Sequence, residues 1–144
     1  MAANKNNNSI YNAEGWTLIR FKETDKKPFF KIFASWSRDD RWRLSSGSDQ
    51  AVFIKRSLNE FEIHQSSGSV YVLPISEEGY ATHYAMMILE NIINEARKIG
   101  VEAHRVIVTD RWQKIIKERI TSNKINSNDF LFITDVDIKI VDNV

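Results

Sequence analysis

Three arginines and two tryptophans crowd into Trp36-Ser-Arg38-Asp-Asp-Arg41-Trp42-Arg43. Guanidinium groups grip phosphate or carboxylate oxygens in pairs, and exposed indoles stack on planar groups. The run therefore has the residue types of an interaction surface for an anionic partner, nucleic acid included. Asp39 and Asp40 oppose that field, and Trp42 beside Leu44 also suits a core. Glu60, Glu62 and His64 alternate and so share one face of a strand. Two carboxylates and an imidazole can ligate a metal or supply an acid and a base. Phe61 and Ile63 give the same strand a core side, however, and an antiparallel strand with one solvated face has this pattern too. Asp135 and Asp137 make a third same-face pair. A Mg²⁺ or Ca²⁺ site needs more ligands than two carboxylates, and charges guarding an edge strand look alike. His83, near Tyr80 and Tyr84, and His104 stand alone.

These groups must be positioned by the elements around them. Trp16 to Lys22, Phe29 to Trp36, Trp42 to Leu44, Ala51 to Lys55, Glu60 to Gln65 and Val70 to Leu73 read as strands. The short polar links between them predict antiparallel neighbours, hence a meander of about six strands. A long helix follows over residues 78–99, with Ala81, Ala85, Ile88, Leu89, Ile92, Ala96 and Ile99 as its apolar stripe. Ser76 is its expected N-cap and Gly100 its expected stop. A short strand over 104–108, a second helix capped by Asp110 and ending near Asn123, and strand composition over 130–141 complete the chain. The expected architecture is α+β: an antiparallel sheet packed on one face by the 78–99 helix. Residues 1–14 are expected as a flexible arm and 15–144 as a single domain. Phe29, Phe33 and Phe53 are expected on the sheet face away from the helix, to be covered by C-terminal elements or a second subunit.

Two serine-glycine turns, in Trp42-Arg-Leu-Ser-Ser-Gly-Ser48 and Ser66-Ser-Gly-Ser-Val-Tyr71, have similar sequences but unlike flanks, so they read as two turns and not a duplication. With Ala34-Ser-Trp36 before them, they resemble small uncharacterised bacteriophage-encoded proteins over Ala34 to Tyr71. The resemblance implies a phage or mobile-element origin and carries no activity or binding residue with it.

The composition is that of an ordinary globular protein, 42% hydrophobic and 27% charged over 144 residues. Without cysteine there is no disulfide framework and no thiolate chemistry. The chain lacks a nucleophile elbow, a His-Glu-x-x-His pair and a phosphate-binding loop. Catalytic residues, cofactors and metals are accordingly not assigned. The polar N-terminus lacks a signal-peptide core and no apolar run is long enough to span a bilayer, so the expectation is a cytoplasmic protein without a membrane partner. Between Trp16 and Arg56 there are ten Lys/Arg against five Asp/Glu, or +5; between Ser57 and His104 there are two against seven, or −5. Such stretches either make a bipolar surface or neutralise each other as adjacent strands.

The expected function is a non-enzymatic protein-interaction module, binding a protein partner or itself, for instance a phage or mobile-element protein that modulates a host protein. Trp36, Arg38, Arg41 and Arg43 are the candidate interaction residues. The alternatives are a nucleic-acid-binding module using the basic Trp16–Arg56 half and a metal-dependent enzyme around Glu60, Glu62 and His64. A pI near 8.0 is low for a basic nucleic-acid domain.

Overall fold

Alternating apolar residues build strands along most of the chain. A computed structural model describes residues 9–48, 51–55, 59–109, 130–133 and 139–141. In chain order these hold β1 (Ile10–Asn12), β2 (Gly15–Lys22), β3 (Phe29–Trp36), β4 (Arg41–Leu44), β5 (Ala51–Lys55), β6 (Glu60–His64) and β7 (Val70–Pro74). A 3-10 turn (Ile75–Glu77) leads to helix α1 (His83–Lys98), followed by β8 (Glu102–Ile107), β9 (Phe130–Ile133) and β10 (Lys139–Val141). The α+β class is as expected, and the six expected strands are β2 to β7. The expected second helix from Asp110 lies outside the described residues.

The meander is divided in two. One sheet has the order β10-β8-β2-β3-β4, the other β1-β7-β6-β5-β9. β2, β3 and β4 pair antiparallel in order, and so do β5, β6 and β7, but β4 and β5 do not pair with each other. Ile10–Asn12, within the stretch expected as an arm, pairs in parallel with Val70–Val72 at the edge of the second sheet.

This division settles what covers each face of the first sheet. Trp16, Leu18, Phe30, Ile32, Ala34 and Val106 face the second sheet and pack on its Phe61, Ile63, Tyr71 and Leu73. On the opposite side, Ile19, Phe33 and Ala103 meet Ala85, Leu89 and Ile93 of α1. Phe33 therefore lies under the helix, not away from it, and Phe29 is on that side too. The face away from the helix, expected to be covered by C-terminal elements or a second subunit, packs on the chain's own second sheet. β3 carries aromatics on both sides, so its alternation alone could not say which side the helix takes.

Helix α1 starts later than expected. Thr82, not Ser76, is its N-cap, its hydroxyl accepting from the Ala85 amide at 3.2 Å. Ser76 belongs to the 3-10 turn, and the Glu78 carboxylate instead accepts from the amides of Val108 (2.8 Å) and Thr109 (3.1 Å). Ala85, Leu89 and Ile93 form the buried stripe, whereas Ile99 is 79% exposed at the C-cap just before Gly100.

The two serine-glycine turns meet where the chain passes between sheets. The buried Gln65 side chain accepts from the Gly47 amide at 2.9 Å, the Ser66 hydroxyl donates to the Gly47 carbonyl at 3.1 Å, and the Ser46 and Ser67 hydroxyls lie 3.2 Å apart. Ser45, also buried, accepts from the Ile32 amide at 2.8 Å. Gly47 has φ +88°, and a Cβ there would come within 2.4 Å of the Phe29 ring, so only glycine fits. The charge-opposed stretches meet as adjacent strands in both sheets, β5 pairing with β6 and β2 with β8. Arg20 and Glu102, 3.7 Å apart on β2 and β8, form an ion pair between those stretches.

Replacing Gln65 with leucine leaves the buried Gly47 amide without its acceptor. The expected loss is about 1–3 kcal/mol in urea unfolding, while Ser46→Ala, at an exposed contact, changes stability by less than about 0.5 kcal/mol. Equal effects of the two substitutions would contradict this assignment.

Candidate functional site

The edges of the two sheets come together at β1 and β4. Neither strand has a second neighbour among the described residues. The seam is closed by side chains. The Trp36 indole N–H donates to the Asn12 carbonyl at 2.8 Å, and the Arg43 guanidinium reaches the Tyr11 ring. Between the edges lies a groove of about 500 Å³, walled by Ile10 and Tyr11 of β1, Trp36 of β3, and Arg41 and Arg43 of β4.

Strand register decides which side chains enter it. Arg41 stands opposite Trp36, and Arg43 opposite Ala34, whose side chain is in the core between the sheets. Both arginines thus lie on the inward side of β4, past the end of the apolar core. The Arg41 guanidinium sits over the Trp36 ring at 4.6 Å and the Arg43 guanidinium over the Tyr11 ring at 4.3 Å, both within cation–π range. Arg43 also lies near the buried Tyr71 hydroxyl. Burial raises the pKa of that hydroxyl above 10.0, with Arg43 acting in the opposite direction. Tyr11 and Tyr71 lie with ring centroids 5.0 Å apart. The guanidiniums are consequently held in place before any partner arrives, which lowers the entropy cost of binding.

The turn between β3 and β4 is braced at both ends. Ser37 donates its amide to the Glu14 carboxylate at 3.0 Å and its hydroxyl to the other carboxylate oxygen. Asp40, with φ +53°, accepts from the Thr82 hydroxyl at 3.0 Å, so the helix cap also steadies the turn. Aspartate tolerates this left-handed backbone better than most residues.

Of the four candidate interaction residues, Trp36, Arg41 and Arg43 converge on the groove. Arg38 is exposed in the turn and does not line it. Trp42 packs less deeply than a core reading implies. It stacks on Phe33 at 5.8 Å and 15° yet remains 38% exposed. Tyr11 and Ile10 escape a reading by sequence, although an adjacent isoleucine and tyrosine in an asparagine-rich stretch are the signal that could have marked them.

The other candidates stay dispersed. Phe61 and Ile63 are buried while Glu62 and His64 point outward on β6, their side chains paired at 2.5 Å. Among the described residues no three His, Cys, Asp or Glu side chains are placed to hold a metal. His104 lies 3.8 Å from Glu102 and 3.4 Å from Arg97, and His83 is exposed at the start of α1. Asp135 and Asp137 fall outside the described residues. Among the described residues no helix is long and apolar enough to cross a membrane.

Hydrogen bonds from the Ser37 hydroxyl and amide hold the Glu14 pKa below the ordinary 4.5. A depressed carboxylate pKa stabilises the folded form above the unfolded value and loses that contribution as pH falls through the folded one. The Ser37 amide resonance should therefore titrate with a midpoint below 4.5, and Ser37→Ala should move the Glu14 midpoint upward. A midpoint at or above 4.5 in the unaltered protein would contradict the brace.

No family model, curated protein or solved structure matches the chain.

Proposed function

We propose that the protein is a non-enzymatic protein-interaction module whose groove between β1 and β4 receives an acidic segment of a partner protein. The bacteriophage resemblance makes that partner a protein of a bacterial host, whose activity the binding modulates. The observation that carries the reading is the pair of pre-seated guanidiniums, Arg41 on Trp36 and Arg43 on Tyr11. Tryptophan, tyrosine and arginine are the residues most enriched among energetic hot spots of protein interfaces. The groove also lies between two strand edges, where an extended segment can add main-chain hydrogen bonds to side-chain recognition.

A single-stranded nucleic acid is the second reading, favoured by the same basic and aromatic composition. Its bases would have to stack on aromatic rings, and here the guanidiniums already occupy faces of Trp36 and Tyr11. Phosphate contacts alone remain to it, and these leave a steep salt dependence as their mark.

Affinity capture from bacterial lysate should recover a stoichiometric protein with the unaltered chain and lose it with the Arg41→Glu/Arg43→Glu double variant. Against the purified partner, Arg41→Ala is expected to weaken binding by about tenfold or more, as hot-spot arginines do. Trp36→Ala should weaken it similarly. Recovery of nuclease-sensitive material in place of a protein would overturn the proposal, as would capture that the double variant leaves unchanged.

A further inference from the structure

A second hollow, of about 490 Å³, opens on the other side of the first sheet, where the C-terminal end of α1 overhangs the β2–β3 turn. Its walls are apolar and come from both layers: Phe21, Phe29 and Leu44 from the strands, Ile92 and Ala96 from the helix. All five side chains are only partly buried, so the contact between sheet and helix is left open here. The closed part of that contact, at Ala85, Leu89 and Ile93, lies nearer the start of the helix.

The mouth has a different character. Lys26 and Lys27 of the turn and Lys31 of β3 border it, against one carboxylate, Glu23, which lies 3.4 Å from Lys26. Lys27 and Lys31 have no acidic partner among the described residues. An apolar hollow bordered by three lysines, two of them flanking Phe29, against one carboxylate matches a molecule with an aliphatic body and an anionic head. Its volume falls in the range of small-molecule sites, which are mostly apolar with a few polar groups that fix orientation. The hydrocarbon would gain by leaving water, while the head would gain charge-assisted hydrogen bonds at the rim.

We infer that this hollow is a binding site for a medium-chain carboxylate, its alkyl chain between Phe21, Phe29, Ile92 and Ala96 and its carboxylate at Lys27 and Lys31. The site is separate from the β1–β4 groove and shares no lining residue with it.

Titration of the full chain with decanoate, below its micellar concentration, tests the assignment by calorimetry and by amide chemical shifts. Saturable one-to-one binding is expected, with shifts confined to the β2–β3 turn and the last turns of α1. Decanol, which keeps the chain and lacks the charge, should bind about tenfold more weakly. The Lys27→Glu/Lys31→Glu variant should weaken decanoate by at least that factor without altering decanol. Ala96→Phe, which fills the hollow, should weaken both, and the lysine variant serves if that protein does not fold. No saturable binding of decanoate, or equal affinity for decanoate and decanol, would overturn the inference.

Discussion

A buried indole must find an acceptor for its N–H, and Trp16 finds one only if the two sheets sit at a particular offset. Its side chain is fully buried between them, edge-on to Phe61 of the second sheet, and its N–H donates to the Pro74 carbonyl at 2.7 Å. Leaving such a donor unpaired would cost about 1–3 kcal/mol, enough to select one arrangement among several with similar apolar contact. The Trp16 carbonyl accepts from the Gly79 amide at 2.6 Å, so the same residue also fixes the path toward α1. Trp36 repeats the device nearer the rim, its indole bonding to the Asn12 carbonyl across the seam. Two tryptophans of one sheet are thereby tied to the backbone of β7 and β1.

With the sheets so placed, the edges follow. A sandwich that does not close into a barrel exposes strand edges, and inward-pointing charges are one way of keeping those edges from pairing with other chains. Arg41 and Arg43 do this on β4. Their positions over aromatic rings distinguish them from a generic guard, since a charge that only repels neighbours needs no fixed seat. Negative selection against wrong strands and recognition of a chosen one can rest on the same two guanidiniums.

Strand positions were largely readable from runs of strand-forming residues bounded by polar turns, and on β6, where buried and outward residues alternate, Glu62 and His64 faced away from the core as that alternation implied. The break between β4 and β5 was not readable. Ser45-Ser-Gly-Ser48 has the composition of a hairpin turn, and nothing local says that it crosses to another sheet instead. The face assigned to Phe33 failed for a similar reason, since Phe33 and its neighbours Ile32 and Ala34 are all fully buried, so no side of β3 looks outward. Ser76 met the rule for a helix cap, but tertiary contacts drew Glu78 to Val108 and Thr109, and Thr82 took the role. Half of the groove was legible, as Trp36, Arg41 and Arg43. The other half required β1, whose three residues are too few to show a period.

The parallel pairing of β1 with β7 has a consequence for the order in which the chain becomes competent. Ile10–Asn12 leaves the ribosome early, yet its partners Val70–Val72 follow only after both arms of the first hairpin and most of the second sheet have been made. Such a non-local contact must await loop closure over the intervening chain, and it forms late relative to the hairpins. Tyr11, on which Arg43 rests, therefore reaches its position only after the β2–β3–β4 hairpins and β7 have been made. A nascent chain made only as far as β4 presents that strand without its facing wall, and the groove exists only once β7 has taken up β1.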